Sequence, residues 1–358
     1  MEQLSAALPA RLLPWYAQSR RDLPWRRDRE AYHVWLSEIM LQQSRVEAVK
    51  GYYMRFLAEL PDIAALAACP EDRLTKLWEG LGYYTRVRNL QKAARVMMTD
   101  FGGMFPQAYD DIRALPGVGD YTAGAIASIC FEQPTPAVDG NVLRVLARLL
   151  DDHRPTDDLK LRREYRGALA EIYPAGHCGD FTQALMELGA TLCGPNGAPQ
   201  CEACPLTALC RGYANGTAAQ LPVRAAKKEK RVEEKTVFVL RCGDAYAVRR
   251  RAKTGLLAGL WEFPNVPGWL DAQAAVLQAE RWDVRPRMLL RSVERVHIFT
   301  HVRWQLRCYY LDCAAQCPDF VWADAARFDR DIALPTAFRM FREAEKMSAE
   351  ADGQEDAG

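Results

Sequence analysis

The feature that most constrains this chain is a turn at residues 115–119, Leu-Pro-Gly-Val-Gly, followed by a run of small residues at 121–127. Because Gly117 and Gly119 lack Cβ atoms, the turn can adopt positive φ and present successive N–H groups at the start of the next helix, where the helix dipole favours an anion. The pattern predicts two helices joined by a backbone site for a phosphate, formed by Gly117, Val118 and Gly119, with a nucleic-acid strand as the natural ligand. An ordinary Gly-rich turn between helices is the alternative, since short Gly motifs also occur by chance.

Length and composition indicate a two-domain globular protein. The chain has 358 residues, of which 49% are hydrophobic, and this length favours two domains. No apolar run approaches the roughly 18 residues of a membrane span, and the N-terminus lacks a basic stretch followed by an apolar one. We therefore expect a cytoplasmic protein without membrane association, in which the 11 cysteines serve metal ligation or core packing rather than disulfides.

Apolar periodicity divides the chain into a helical part and a strand-rich part. Residues 1–222 show helical spacing broken by turn signals, which predicts an all-α domain. A linker over 223–235 follows, and residues 236–345 are expected to form an α+β domain. Its predicted strands are 236–240, 245–249, 295–299 and 302–311. Residues 346–358 are acidic and small, which is typical of a disordered tail.

Basic residues concentrate at the predicted domain junction. Residues 223–260 contain 11 Lys or Arg against 4 Asp or Glu, although the formal net charge of the whole chain is only +1. The local excess suits contact with a polyanion. A solvated linker would carry the same charges, so this alternative stays open.

A glutamate lies in an otherwise apolar helical run at residues 32–41. Glu38 follows Val34 by four positions and precedes Leu41 by three, so the carboxyl shares a face with apolar side chains. Loss of hydration disfavours the charged form, and we expect a raised pKa suited to general acid catalysis. The alternative is a buried glutamate that pairs with an arginine for structural reasons.

A second carboxylate has the opposite surroundings. Asp139 precedes a helix that runs to Leu150, where backbone N–H groups and the helix dipole favour its ionised form. Capping alone would explain an aspartate there. Together, however, the two environments are predicted to push the pKa values of Glu38 and Asp139 apart. One carboxyl could then donate a proton while the other stays ionised, which suits cleavage of a glycosidic bond through an oxocarbenium-like transition state.

Four cysteines lie within 18 residues, at Cys193, Cys201, Cys204 and Cys210. The spacing C-x7-C-x2-C-x5-C places four thiols in one short loop, which favours a cubane iron–sulfur cluster. Zinc is the alternative, although zinc ribbons usually supply two separate C-x2-C pairs.

The turn at 115–119 and the following Asp139 resemble the helix-hairpin-helix of DNA glycosylases related to endonuclease III. In members that also cleave the backbone, a lysine lies two residues after the second hairpin glycine and forms a Schiff base with the sugar. Here that residue is Tyr121, which cannot form an imine. Tyrosine at this position, together with the run at residues 36–43, resembles the MutY-type adenine DNA glycosylases.

The resemblance implies roles for the active-site side chains. Glu38 would protonate the adenine ring, Asp139 would stabilise the sugar cation, and Asn141 would help organise the sugar and the attacking nucleophile. Tyr121 would belong to the same catalytic group. Other side chains would line the pocket for the extruded base: Trp25, Arg26, Leu41, Tyr121 and Gln183, the last replacing a glutamate of relatives.

The same resemblance extends to DNA distortion and lesion recognition. Such an enzyme extrudes the base and fills the gap, and Gln42 and Tyr83 match the wedge residues beside the opposite base. The part containing residues 255–264 resembles the Nudix-related domain of this family, without the Arg-Glu-x2-Glu-Glu run that binds magnesium. In that domain Phe299, Thr300 and His301 match the Phe-Ser-His loop used against 8-oxoguanine.

The sequence therefore predicts an all-α helix-hairpin-helix glycosylase domain with an iron–sulfur loop, followed by an α+β Nudix-like domain. The expected cofactor is one [4Fe-4S] cluster, and the expected partner is double-stranded DNA with adenine opposite 8-oxoguanine or guanine, bound by a monomer. Two alternatives are an endonuclease III-like glycosylase/lyase on oxidised pyrimidines and a non-catalytic iron–sulfur DNA-binding protein.

Overall fold

The computed structural model describes residue 4, residues 6–224 and residues 229–343. The chain divides into two compact units, one formed by residues 1–69 and 88–226 and the other by residues 70–87 and 227–358. The break at 226/227 lies within the predicted linker. The predicted tail at 346–358 lies outside the described residues. No described helix has the length and apolar character needed to cross a membrane.

The described residues up to position 224 contain helices and no strand, as the sequence predicts. The α-helices are α1 (Ala7–Ser19), α2 (Ala31–Leu41), α3 (Val46–Glu59), α4 (Ile63–Ala68), α5 (Glu71–Leu77), α6 (Thr85–Asp100), α7 (Tyr109–Ala114), α8 (Asp120–Phe131), α9 (Gly140–Leu150), α10 (Leu159–Ala170), α11 (Cys178–Ala190) and α12 (Arg211–Ala214). Short 3-10 turns occur at Pro24–Arg26, Cys201–Ala203 and Thr207–Leu209.

Helices α2 and α8 are buried on nearly every side, which explains their low polarity, whereas the buried helix α9 also contains Arg144 and Arg148. A helix that is apolar all round must lie inside the protein rather than at its surface. One apolar core joins α1, α9, α10 and α11, with Leu8, Leu146, Tyr165 and Phe181 among its fully buried members. Burial of these helices therefore holds the residues at their ends in fixed positions around the interior.

The C-terminal part forms an α+β domain around a seven-stranded sheet. Its elements are β1 (Arg231–Cys242), β2 (Ala245–Arg250), β3 (Trp261–Glu262), β4 (Asn265–Pro267), α13 (Ala272–Arg281), β5 (Pro286–Ile298), β6 (Val302–Cys313), β7 (Val321–Ala323) and α14 (Ala325–Arg330). Residues 336–343 are also helical. The four predicted strands are all present, and β1 begins at Arg231, within the segment predicted as linker.

The sheet is mixed, with the path β3-β2-β1-β6-β5, while β4 pairs with β1 and β7 with β2. Strands β1 and β6 run parallel, from Arg231 opposite Val302 to Arg241 opposite Asp312. Alternate residues of β1 enter different cores, since Val237 and Val239 belong to one apolar cluster and Phe238 and Leu240 to another. Burial of both faces explains the continuous apolar run at residues 237–240 of this strand.

Residues 70–87 group with the C-terminal domain, which the sequence pattern does not predict. The backbone N–H of Leu334 donates to Glu79 at 2.7 Å, and Lys76 Nζ donates to the Ile332 carbonyl at 3.3 Å. Arg250 also pairs with Asp72. These contacts join residues that are some 180 to 260 positions apart, so no local pattern could reveal them.

Candidate active site

A cavity of about 540 Å³ lies in the first unit, with walls from α2, α8, α9 and α11. This volume lies in the range typical of small-ligand sites. Its lining includes every first-unit side chain that the sequence assigns to chemistry, base binding or the wedge: Trp25, Arg26, Glu38, Leu41, Gln42, Tyr121, Asp139, Asn141 and Gln183. Residues that are up to 158 positions apart in the sequence thus line one cavity.

Glu38 lies on the buried face of α2 and is only 6% exposed. The Tyr121 hydroxyl of α8 donates a hydrogen bond to Glu38 Oε2. Burial, with a smaller contribution from the negative charge of Asp139, raises the pKa of Glu38 to about 7, against the lowering effects of the Tyr121 hydrogen bond and the positive charge of Arg26. The carboxyl is therefore protonated in a large fraction of molecules at neutral pH, as a general acid requires.

Asp139 caps the N-terminus of α9, as predicted. Its Oδ1 accepts from the Val142 N–H at 2.8 Å, and its Oδ2 accepts from Asn141 Nδ2 at 2.7 Å. Burial nevertheless raises the pKa of Asp139, against the lowering effect of these hydrogen bonds. The sequence pattern indicated the effects that favour the ionised form of Asp139 but not the opposing effect of burial, because it does not reveal that this cap faces the interior.

A hydrogen-bond chain runs from Asp139 toward the cysteine loop. Asn141, which donates to Asp139, accepts from Arg144 Nη2 at 2.9 Å, and Arg144 Nε donates to the Cys193 carbonyl at 2.8 Å. Arg144 is only 3% exposed. Sequence reasoning missed this arginine, although its position one turn after Asn141 on α9 places both side chains on the same face.

Sequence reasoning also missed a buried carboxylate in the cavity wall. Glu187 of α11 accepts from Arg21 Nε at 2.7 Å and from Arg26 Nη2 at 2.8 Å. Burial disfavours its charge, but the hydrogen bonds from the two arginines outweigh burial and the pKa of Glu187 is lowered. The signal was present, because Glu187 interrupts an apolar helical run in the same way as Glu38.

The hairpin consists of α7, the turn at 115–119 and α8. Gly117 has φ +78°, and a Cβ there would lie 2.6 Å from Asn89 Cβ, so glycine is required. Gly119 has φ −103°, which corrects the expectation of positive φ at both glycines. It is the N-cap of α8 without a side-chain cap, and a Cβ there would meet open space. The role of Gly119 is therefore to keep the helix start accessible.

The four predicted cysteine ligands lie around one small cavity of the first unit. Cys193, Cys201, Cys204 and Cys210 are each half-buried and line it with Arg148. Within the described ranges, no three histidine, cysteine or carboxylate side chains converge on one position suited to a single metal ion. Four thiols around one cavity are a donor set that an iron–sulfur cluster could use. The donor set and its spacing fit a cluster.

The predicted recognition residues are split between the two units. In the first unit, Gln42 Nε2 donates to Thr122 Oγ1 at 3.4 Å. In the second unit, the Tyr83 and Thr300 hydroxyls lie 3.0 Å apart. Tyr83 has a left-handed backbone, with φ +48°, and is 48% exposed.

The loop at residues 299–301 forms the tip between β5 and β6. The Phe299 ring packs edge-on against Trp304, with centroids 4.8 Å apart, and against His297 at 4.5 Å. Thr300 and His301 are exposed. One aromatic anchor thus holds a tip whose polar side chains face outward.

The N-terminal and C-terminal parts of the chain each match a known protein family. Residues 36–170 match the HhH-GPD superfamily of base excision DNA repair proteins, and residues 236–344 match the NUDIX domain. The adenine DNA glycosylase of Mus musculus is 36% identical over 404 aligned positions, which cover 94% of this chain and 78% of that protein. The adenine DNA glycosylase of Buchnera aphidicola subsp. Baizongia pistaciae is 36% identical over 258 positions, covering 71% and 72%.

Solved structures support the helical fold. A thermostable thymine-DNA glycosylase is 30% identical with a TM-score of 0.53, and the match covers 57% of this chain and 94% of that chain. A trapped covalent endonuclease III–DNA intermediate is 25% identical with a TM-score of 0.51, covering 60% and 99%. The similarity to curated relatives extends over nearly the whole sequence, and this chain belongs to the adenine DNA glycosylases of the HhH-GPD superfamily, which act in base excision DNA repair.

Proposed function

We propose that this adenine DNA glycosylase hydrolyses the N-glycosidic bond of adenine paired with 8-oxoguanine or guanine in duplex DNA, without cleaving the backbone. The observation that carries the proposal is one cavity that combines a carboxyl with a pKa of about 7 and a second, hydrogen-bonded carboxylate. A proton donor and a fixed negative charge are the two groups that glycosidic cleavage requires.

In the proposed reaction, Glu38 donates its proton to a ring nitrogen of the extruded adenine. The electron pair of the glycosidic bond leaves with the base, and the sugar becomes an oxocarbenium ion. Asp139 stabilises this cation, since its charge is held in place by two N–H donors. A water molecule then adds to the sugar carbon and loses one proton to the Glu38 carboxylate, which restores the acid and gives an abasic site. Asn141 orients Asp139 and helps organise the sugar.

Tyr121 supports a monofunctional enzyme. Its hydroxyl lies against Glu38 rather than offering an amine to the sugar, and a phenol cannot form the imine on which β-elimination depends. The proposed role of Tyr121 is to hold the Glu38 carboxyl in one orientation. This residue also argues against an endonuclease III-like lyase activity.

The extruded base is proposed to occupy the cavity between Trp25, Leu41 and Gln183, near Arg26. Trp25 is held edge-on by Tyr53, with ring centroids 5.5 Å apart, so it offers a fixed apolar wall. Gln183 lies half-buried at the cavity, where its amide can hydrogen-bond a purine. Gln42 and Tyr83 are proposed to fill the gap beside the opposite base.

Lesion recognition is assigned to Phe299, Thr300 and His301. Reading an altered guanine requires contacts with its changed edge, and the exposed Thr300 hydroxyl and His301 ring at the tip between β5 and β6 can supply them. The turn at Gly117, Val118 and Gly119 is proposed to bind a phosphate of the DNA through the N–H groups of Gly117 and Gly119, since the Val118 N–H already donates to the Leu115 carbonyl at 3.1 Å. This assignment draws on the uncapped start of α8.

We propose one [4Fe-4S] cluster, held by Cys193, Cys201, Cys204 and Cys210. Bound there, it would supply a covalent cross-link for a loop that has little regular structure of its own. Arg148 Nη1 lies 3.2 Å from Cys193 Sγ, where its positive charge offsets thiolate charge.

The proposal is tested by single-turnover assays of the full chain on duplexes with adenine opposite each base, with and without alkali. We expect release of adenine opposite 8-oxoguanine and guanine, with strand breaks only after alkali. Strand breaks without alkali would contradict the monofunctional mechanism, and equal rates opposite all four bases and 8-oxoguanine would contradict the recognition role.

A further inference from the structure

The side chain of Glu187 is fully buried in the wall of the active-site cavity. It is 0% exposed and accepts hydrogen bonds from Arg21 Nε, Arg21 Nη2 and Arg26 Nη2, at 2.7, 2.9 and 2.8 Å. The backbone N–H of Arg21 also donates to it, at 3.2 Å. Four donors therefore fix both carboxylate oxygens.

Stability alone does not explain this arrangement. Taking a carboxylate and guanidinium groups out of water is costly, and replacing a buried ion pair by apolar side chains of similar volume is often neutral or stabilising. The neighbouring Leu185 and Leu188 of α11 show that this helix otherwise packs through apolar contacts. Both arginines and Glu187 border the cavity, so the ion pairs lie where the reaction is proposed to occur.

Arg26 is held from two sides. Glu187 binds one of its terminal nitrogens, and the Tyr16 ring lies under its guanidinium at 5.7 Å from the centroid. The Arg26 side chain is only 11% exposed. Its other terminal nitrogen, Nη1, lies 3.5 Å from the Arg21 carbonyl, so the Arg26 side chain borders the cavity in one fixed geometry.

We propose that Glu187 is a positioning residue for base excision, which holds Arg26 against the extruded adenine and balances the charge of Arg21 and Arg26 beside Glu38. The inference rests on the proposed function, because it assigns the adenine to this cavity. Glu187 does not touch the reacting atoms. It acts through Arg26, and misplacement of a substrate-binding group by about 1 Å is enough to lower a rate by about 100-fold.

The charge balance has a second consequence. The titratable and charged groups that face Glu38 are Tyr121 and Cys130 of α8, Asp139 at the start of α9 and Arg26 of the turn at 24–26. The positive charge of Arg26 lowers the pKa of Glu38. If Glu187 became neutral, Arg21 and Arg26 would be left with uncompensated charge, and the pKa of Glu38 would fall further.

The test is a double-mutant cycle with Glu187→Gln and Arg26→Met in the full chain, using single-turnover release of adenine opposite 8-oxoguanine. We expect Glu187→Gln to slow release by about 10- to 100-fold, with little change in the Kd for an uncleavable duplex. The alkaline limb of its pH profile should move to lower pH. The double variant should be no slower than Arg26→Met alone, because interacting residues are not additive. Glu171→Gln, at an exposed glutamate of the same unit, serves as the matched control.

Additive effects in the cycle, or a Glu187→Gln rate within threefold of wild type, would overturn the proposal. If Glu187→Gln does not fold, Glu187→Asp replaces it in the same cycle, since it keeps the charge and shortens the reach. These outcomes are distinct from failure of the proposed function, which would appear as a wild-type enzyme that releases no adenine.

Discussion

The cavity of the first unit and the loop tip of the second differ in how firmly their side chains are held. Around the cavity, Glu38, Asp139 and Glu187 are each fixed by hydrogen bonds from partners on other elements or at a helix start. At the tip, Thr300 and His301 are exposed, and the contacts are the packing of the Phe299 ring on Trp304 and one hydroxyl pair, Thr300 with Tyr83. Under the proposed function, bond cleavage would use a preorganised interior, whereas lesion reading would use an exposed surface.

Replacing Glu38 should have the largest effect, and it tests whether the cavity of the first unit carries out the bond cleavage. Glu38→Gln keeps the shape of the side chain but removes the proton, and general acid catalysis contributes about 10²- to 10⁴-fold. We expect adenine release to fall by that factor in single-turnover assays while mismatch binding is retained. Asp139→Asn should behave similarly, because asparagine still caps the helix. Glu30→Gln, at the exposed start of α2, is the control, and a Glu38→Gln rate within threefold of wild type would remove Glu38 from the mechanism.

Removing a cluster ligand should destabilise the first unit and leave the second intact. We expect wild-type protein purified without oxygen to contain about four iron atoms per chain. Cys204→Ser should lose iron and lower the free energy of unfolding by about 4 kcal/mol, as expected for a lost metal site. Elemental analysis and denaturant unfolding measure both effects. The control variant Cys242→Ser, changed in the second unit, should contain as much iron per chain as the wild type. One zinc atom per chain without iron in the wild type would refute the cluster.

A change at the loop tip should alter selectivity rather than chemistry. Thr300→Val removes the hydroxyl but keeps the shape, and a recognition contact contributes about 1 to 3 kcal/mol of discrimination. The ratio of rates for adenine opposite 8-oxoguanine and opposite guanine should therefore fall by about 5- to 150-fold. Thr254→Val, at an exposed loop residue, should leave the ratio unchanged. An unaltered ratio in Thr300→Val would show that the tip serves another purpose.

Substitutions at the two hairpin glycines should have the smallest effects, and the two positions should affect different properties. Gly117→Ala should lower stability by about 1 to 3 kcal/mol, because a left-handed backbone and contact with Asn89 both oppose a methyl group. Gly119→Ala should leave stability within about 0.5 kcal/mol, since its Cβ meets open space, but it should weaken DNA binding. Urea unfolding and fluorescence anisotropy separate the effects. Equal DNA affinity in Gly119→Ala and wild type would contradict the phosphate site.

Local patterns predicted much of this site. The apolar period of α2 placed Glu38 in the interior, and the position before α9 made Asp139 its cap. Local patterns could not show that Asp139 is buried or that residues 70–87 join the C-terminal domain, because both depend on contacts between distant segments. Glu187, in contrast, could have been predicted from a local pattern, because it interrupts an apolar helical run in the sequence.

The pH dependence of single-turnover adenine release by the wild-type enzyme tests the central claim most directly. In the proposed mechanism the acid form of Glu38 is the active one, and its pKa is about 7, so the rate should change little below pH 7 and fall toward tenfold per pH unit above it. Glu38→Gln should lose this alkaline limb together with its activity. A wild-type rate that is constant from pH 6 to 9, or that rises across this range, would contradict protonation of adenine by Glu38.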